Sequence, residues 1–532
     1  MKHFTVTFQP DGREISIHPG ATLLEAAGLA DIVLNTVCGE KGTCRKCAVI
    51  LQPKGQTVLA CQHRVTENLT VLVPPDSRFA EHKILTEGAR RKGAAQPDIY
   101  KKYLSAAGNR PILGLAVDIG TTTVVVKLID MKTGRLLATS ATLNPQTKFG
   151  DDVISRIGYA QTDKKLKELN SLIVGRLNDL IIDCCSQAAT QSSDIYETCV
   201  VGNTTMHHIF LRLPVTQLGE APYKAFSLDA KDLSPTALGL GVNPVGNVHT
   251  VANIAGFVGA DTTAVALATS LDSADQITLV IDIGTNGEVI LGTKDKLLAA
   301  SCAAGPAFEG ARIACGSRAA DGAIEAVVLD KHNIAIDVIG GGGPVSICGS
   351  GLIDAVAVML DSGVIDFTGR FKPKTSMPSA IAKRITKIKH KNSPAKKEGP
   401  IFVFAYHGHT PAVYLTQQDI REVQLAKAAI RTGIHLLQQR FSVADADIKA
   451  IYLAGAFGNY IRRQSALRVG LLPNVPVDRI HSVGNAASSG AQLILVSSRC
   501  RTLAADLASK IEYVEIANEP LFQSTFADSM LF

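Results

Sequence analysis

Near its start the chain alternates apolar and polar residues from Lys2 to Phe8, and again from Glu14 to His18. A period of two marks a strand with one buried face, and the intervening Pro10-Asp11-Gly12 predicts a hairpin. Thr22 to Leu29 reads as a short helix, with Ala48 to Leu51 and Leu69 to Val73 as further strands. Downstream the pattern shifts to longer apolar runs, Leu115 to Ile119, Val124 to Ile129, Leu279 to Ile283 and Ile451 to Ala454, which predict buried strands. Gln418 to Phe441 carries apolar residues at 420, 423, 426, 430, 434 and 437, one face of a helix. Asp419 at its start and Arg440 at its end suit the helix dipole. Lys427 falls inside the apolar stripe, so it either reaches a phosphate or ribose or runs past the core to water. No window approaches about 18 uninterrupted apolar residues and the N-terminus lacks a signal-peptide core, so no membrane span and a cytoplasmic location are expected.

At 532 residues the chain has room for about three or four domains. With 46% apolar and 19% charged residues it is too apolar for a disordered chain. A net charge of +6 is too mild to imply a nucleic-acid partner. Of the 11 cysteines, Cys184, Cys185, Cys199, Cys302, Cys315, Cys348 and Cys500 are scattered and are expected as small packed residues. Cys38, Cys44, Cys47 and Cys61 instead cluster as C-x5-C-x2-C-x13-C. Thiolates suit zinc or iron–sulfur, but structural zinc usually takes two C-x2-C knuckles and here there is one. That asymmetry favours a plant-type [2Fe–2S] cluster, with Gly39 and Gly42 letting backbone N–H groups approach its sulfur.

With its flanking strands and helix, this segment resembles a β-grasp ferredoxin domain ending near Pro75, of the clipped kind fused to larger enzymes. From Ser77 to Asn109 the chain turns polar and basic, with Lys83, Arg90, Arg91, Lys92, Lys101 and Lys102. A solvated linker is expected there, or else a docking surface for an acidic partner. Lys383 to Lys397 is a second basic stretch, expected as a solvated loop. His207 and His208 are expected to pack in the interior.

An internal repeat follows the linker. Asp118-Ile119-Gly120-Thr121-Thr122-Thr123 and Asp282-Ile283-Gly284-Thr285-Asn286-Gly287 lie 164 residues apart, each after a buried strand and before another. Such a Gly-Thr turn points N–H groups and hydroxyls at one spot, as a phosphate needs, and the Asp can hold Mg2+ directly or through water. The repeat resembles the superfamily of actin, sugar kinases, Hsp70 and acetate kinase, whose two similar halves clamp ATP. That resemblance implies an adenosine-facing turn at Gly455-Ala456-Phe457-Gly458-Asn459 and a hinge helix opening at Val483-Gly484-Asn485-Ala486-Ala487. Its first-half counterpart is Val251 to Asp261. Glu309 either positions a water or Mg2+ or is structural, and Gly349-Ser350-Gly351 is either an anion site or a tight cap.

The chain as a whole resembles the reductive activators of corrinoid-dependent methyltransferase systems. The resemblance rests on the cysteine set, the paired Asp-Ile-Gly-Thr strands, Asn144-Pro145-Gln146 with Phe149-Gly150-Asp151-Asp152-Val153, and Asp419-Ile420-Arg421-Glu422-Val423-Gln424. It implies an α/β chain with an α+β N-terminal domain. A β-grasp [2Fe–2S] ferredoxin domain (1–76) and a basic linker (77–111) would precede a duplicated actin-like, ribonuclease H-like clamp, with halves 112–272 and 273–532. The implied activity is ATP-dependent, one-electron return of a Co(II) corrinoid protein to Co(I). In that reading Asp118 and Asp282 organise Mg2+. Gly120, Thr121, Thr122, Thr123, Gly284, Thr285, Asn286, Gly455, Ala456 and Asn459 hold the nucleotide. No G-x-G-x-x-G follows a strand, so electrons are expected from an external low-potential donor protein. Related clamps often dimerise, which leaves a homodimer open. Three rivals remain: an activator of another metalloenzyme, a redox-gated small-molecule kinase, and a nucleotide-binding sensor without turnover.

Overall fold

In a computed structural model we describe residues 3–30, 32, 34, 47–74, 77, 96–150, 152–284, 286–310, 312–330, 333–389 and 398–532. The N-terminal hairpin pairs Phe4–Gln9 with Arg13–Ile17, in the register Phe4 opposite Ile17. Phe4–Gln9 also runs parallel to Leu69–Leu72 at the centre of a five-stranded sheet. Gln56–Leu59, a strand the apolar pattern does not flag, closes one edge through its exposed, polar residues. The helix is Leu23–Leu29, with Thr22 as its cap: the Thr22 hydroxyl accepts from the Glu25 N–H while the Glu25 carboxylate accepts from the Thr22 N–H.

Two six-stranded sheets follow. The first runs Lys231–Leu233, Asn247–Thr250, Ile195–Gly202, Leu113–Ile119, Thr123–Asp130, Leu136–Leu143. The second runs Ile480–Gly484, Ala450–Ala454, Thr278–Ile283, Gly287–Thr293, Lys296–Cys302, Ile511–Tyr513. In both, the Asp-bearing strand has a parallel neighbour on one side and an antiparallel hairpin on the other. The repeat read from two short motifs is thus a duplication of five strands, with Lys231–Leu233 added at one edge of the first sheet and Ile511–Tyr513 at the other edge of the second.

What joins the halves is helix Ala486–Val496, buried along its length. It crosses helix Ala260–Ala268 and lies on strands Leu113–Ile119 and Ile195–Gly202, so an element late in the chain completes the core of the first sheet. At that crossing Gly490 sits so close that an added Cβ would fall 2.1 Å from the Ala264 carbonyl oxygen. Helix Gln417–Phe441 packs its apolar face on Gly287–Thr293 and Lys296–Cys302, as its periodicity predicts.

Residues 78–95 and 390–397, the larger part of the two basic stretches, lie outside the described residues; the parts that are described fold onto their neighbours. Within residues 96–107, Ile99–Tyr103 and Leu104–Ala107 fold against the first half through buried Ile99, Tyr103 and Ala107, and Lys102, itself exposed, lies 2.7 Å from the fully buried Glu197 carboxylate. Arg501, Asn247 and the Tyr103 hydroxyl also donate to Glu197. A buried carboxylate needs such partners, and Lys102 supplies one while its side chain stays partly in water. Ile385–Lys389 is likewise a strand, paired with Glu398–His407, and Arg384 donates to the Val403 and Phe404 carbonyls.

Among the described residues, the ferredoxin domain meets the second half through helix Leu23–Leu29 and through ion pairs. Arg462 lies 3.4 Å from both Glu25 and the buried Asp354, and His3 lies 3.1 Å from Asp337.

Candidate nucleotide cleft and cluster site

At the cluster site the described part of the cysteine set converges. Cys47, where strand Ala48–Gln52 begins, and Cys61, after Gln56–Leu59, are both buried with Sγ atoms 3.3 Å apart. The antiparallel pairing of those strands brings the two thiols together, and Ala60 N–H donates to the Cys47 carbonyl at 2.9 Å. Gln62 directs its amide at the Cys61 sulfur, 3.7 Å away. Two thiols at one point, with a donor aimed at sulfur, fit a pair of iron ligands. Cys38 and Cys44 lie outside the described residues. The seven other cysteines are buried or half-buried, as expected.

The second site is a cleft of about 320 Å³ between the halves, lined by both repeats. Asp118, Gly120, Thr121, Thr122 and Thr123 face it from the first half; Asp282, Gly284, Asn286 and Gly455 face it from the second. Thr285 and the side chains of Ala456 and Asn459 lie outside what is described. Gly455 explains itself at this point: with φ +85, an added Cβ would fall 2.6 Å from an Asp282 carboxylate oxygen. Gly202 holds the matching place in the first half, where a Cβ would fall 2.7 Å from the Ile119 carbonyl oxygen.

Carboxylates dominate the electrostatics. Burial pushes the Asp118 carboxyl up to about 6, although Asn485 donates to it at 3.2 Å. Asp261 rises to about 7 through burial and then the charges of Asp118 and Asp282, and Asp282 to about 7 through burial and Asp118. Glu288 is raised well above the ordinary range by burial and by Asp261 and Asp282. Asp118 thus raises Asp261 and Asp282, and those two raise Glu288, a concentration of buried negative charge that a cation would neutralise. Among the described residues no three acidic, His or Cys side chains converge tightly enough to ligate an ion directly.

Sequence reading names Asp261 and Asn485 only as members of the hinge motifs, without a place in the cleft, and passes over Glu288. Glu288 is directly opposite Asp282 in the hairpin, a register that the Asn286-Gly287 turn could have suggested. Asp261 lies in the first turn of Ala260–Ala268, and only the helix crossing aims it at the cleft. Asn485 caps its own helix and reaches Asp118 from 367 residues away, which leaves no sequence signal. Asn203 donates to the Thr121 hydroxyl at 2.9 Å.

The open alternatives resolve as follows. Glu309 faces the cleft, 3.4 Å from the Thr122 hydroxyl and 3.7 Å from Arg318. Lys427 is not among the residues that line the cleft and is buried: its ammonium donates to the Leu531 carbonyl beside the Phe532 ring, and burial lowers it to about 8. Gly349-Ser350-Gly351 is a close-packed helix start, with a Gly351 Cβ position 2.3 Å from the Ile324 carbonyl oxygen and Ser350 donating to the Glu325 carbonyl. His207 and His208 are buried, and burial drives His207 down to about 3.

Three family models match in tandem. They are described as a 2Fe-2S iron-sulfur cluster binding domain (residues 4–73), the RACo middle region (113–274) and the C-terminal domain of RACo, the ASKHA domain (276–532). The corrinoid activation enzyme RamQ of Eubacterium limosum is 33% identical over 98% of this chain and 97% of its own length. This chain belongs to the family of corrinoid reductive activators. Another member, the [Co(II) methylated amine-specific corrinoid protein] reductase of Methanosarcina barkeri, is 25% identical over 78% of this chain and 76% of its own. A solved structure titled reductive activator for corrinoid, iron-sulfur protein superposes with a TM-score of 0.71 at 30% identity, covering 99% of this chain and 98% of the other. The family thus joins a 2Fe-2S domain to an ASKHA-type domain, the architecture built here by one mixed sheet and two duplicated ones.

Proposed function

We propose that this chain is an ATP-dependent activator that returns a Co(II) corrinoid protein to Co(I), one electron at a time. The observation that carries this reading is the four-carboxylate cleft between duplicated Asp-Ile-Gly-Thr loops, in the same chain as the paired Cys47 and Cys61 thiols. When bound, the [2Fe–2S] cluster supplies one-electron chemistry and MgATP supplies the free energy of closure. Cys38, Cys44, Cys47 and Cys61 are its proposed cluster ligands. Asp118 and Asp282, backed by Asp261 and Glu288, would hold Mg2+ through its water. Thr121, Thr122, Thr285 and Asn286 would hold phosphates, with Gly455, Ala456 and Asn459 toward the adenosine. An external low-potential protein is the proposed electron source, and a cytoplasmic homodimer stays part of the reading, checked by sedimentation of the cluster-loaded protein.

Nucleotide is needed because of a redox gap. For one electron each ~59 mV of unfavourable difference costs a factor of ten, so ~180 mV leaves roughly one part in a thousand reduced. Closure of the two halves can offset that gap only if the closed form interacts differently with the two states of the partner. Helix Ala486–Val496, with Asn485 touching Asp118 at its start, is the element through which an occupied cleft would reach both halves.

The deciding experiment mixes cluster-loaded protein, a Co(II) corrinoid protein and a low-potential reductant without oxygen, and follows Co(I) absorbance. Co(I) formation that needs both Mg-ATP and an intact cluster is the expected result. ATP turnover with cobalt left as Co(II) across several corrinoid partners would overturn the reading in favour of another metalloenzyme client.

A further inference from the structure

The segment Asn144-Pro145-Gln146, with Gly150 and the helix Val153–Tyr159 behind it, does not line the cleft through its polar side chains, yet these are among the most deeply buried in the chain. Asn144 and Arg156 are 0% exposed and Gln146 is 1% exposed. They lie directly beneath the first phosphate loop. The Gly120 carbonyl oxygen accepts from the Asn144 side-chain amide at 2.8 Å. The next one, of Thr121, accepts from the Arg156 guanidinium at 2.6 Å. The third, of Thr122, accepts from the Asn144 backbone N–H at 2.8 Å. Gly120 N–H closes the turn on the Thr123 carbonyl at 2.9 Å.

Three consecutive carbonyls are therefore held from one side. In a planar trans peptide the C=O and the following N–H point in opposite directions. Holding the oxygens of Gly120, Thr121 and Thr122 from behind turns the N–H groups of Thr121, Thr122 and Thr123 the other way, toward the cleft these three residues line. Successive N–H groups aimed at one spot are what an anionic phosphate needs. The buckle is itself braced. Arg156 also donates to the Gly150 carbonyl at 2.9 Å and lies 3.4 Å from the Gln146 side-chain oxygen, while Gln146 is tied to the Leu169 carbonyl of the long helix at 3.0 Å. One rigid fork of donors spans acceptors that a lysine ammonium could not span together.

We propose that Arg156 and Asn144 are positioning residues for the nucleotide's phosphates: they set the peptide planes of the first phosphate loop from behind without touching ligand. The proposal rests on the reading that this cleft binds ATP. It predicts a selective effect, in which loss of the buckle weakens binding of phosphate-bearing nucleotides and leaves the adenosine subsite alone.

The test compares MgADP and adenosine binding by calorimetry in the full-length, cluster-loaded protein and in Arg156→Gln, with far-UV circular dichroism and the clamp's melting transition as the check on folding. The expected result is MgADP bound ten-fold or more weaker with adenosine affinity changed less than two-fold. If Arg156→Gln does not fold, Arg156→Lys and Asn144→Ala are read by the same criterion, since the first keeps the buried charge and the second leaves the backbone N–H. Unchanged MgADP affinity in a folded variant, or equal losses for both ligands, would overturn the proposal. A wild-type chain that binds adenosine and MgADP equally would overturn it too. Binding of neither by wild type would remove the nucleotide reading itself.

Discussion

Asp118 and Asp282 sit at the ends of matched strands with their carboxyls pressed above the ordinary range. Asp118→Ala should abolish ATP-dependent Co(I) formation while the cluster spectrum is retained; full activation in that variant would remove the residue from the Mg2+ site. The same carboxylates make a stability prediction. A carboxyl whose pKa is higher folded than unfolded favours the fold at low pH, and that support is lost as pH rises from about 4 through the folded value. For Asp261, near 7 when folded, the loss is complete above about pH 8 and is on the order of a few kcal/mol. Asp261→Asn removes this charge and relieves Asp118 and Asp282. Without added Mg2+ its melting temperature at pH 8 should exceed wild type by several degrees, with a smaller difference at pH 5 and little at or below pH 4, while MgADP binding weakens. Equal melting curves at pH 8 would count against the repulsion.

At the scale of elements, the hinge rests on the crossing of Ala260–Ala268 and Ala486–Val496. Gly490 permits it, and any side chain there would meet the Ala264 backbone, which cannot move aside as a flexible side chain would. Gly490→Val should cost about 3 kcal/mol or more, as overpacking at a rigid contact does. Differential scanning calorimetry should show the loss in the clamp transition, with the cluster's visible absorption intact at room temperature. This contact also shows where sequence reading stops. A helix rich in Gly490, Ala491 and Leu493 was legible as a hinge candidate, but which helix it crosses depends on a return of more than two hundred residues.

At the scale of the whole molecule, the ferredoxin sheet is linked to the clamp through Arg462. That residue follows helix Gly455–Tyr460, whose first residue touches Asp282 in the cleft, so one short element runs from nucleotide site to ferredoxin contact. Arg462 also holds down the Asp354 carboxyl, which burial pushes up to about 6. Arg462→Ala leaves that carboxyl buried without its cation and frees Glu25. It should release the ferredoxin domain, read as faster limited proteolysis between the domains and a larger radius of gyration in solution scattering. An unchanged cleavage rate would mean that other contacts, such as His3 with Asp337, suffice to hold it.

By itself the sequence determined the parts: the cysteine spacing, the alternation of the ferredoxin strands, the helix Gln417–Phe441 and the paired Asp-Ile-Gly-Thr loops. These are local signals, because ligand spacing, strand period and turn chemistry depend on neighbours a few residues away. Only the tertiary structure decided what surrounds them. Asp261, Glu288 and Asn485 join the cleft, Arg156 and Asn144 hold the phosphate loop from behind, and Lys102 leaves the basic linker for Glu197. In each case a buried or half-buried polar group, Glu197 in the last, meets partners distant in the chain. Burial makes every such group demand a hydrogen bond or counter-charge, and which one supplies it is set by how sheets and helices pack.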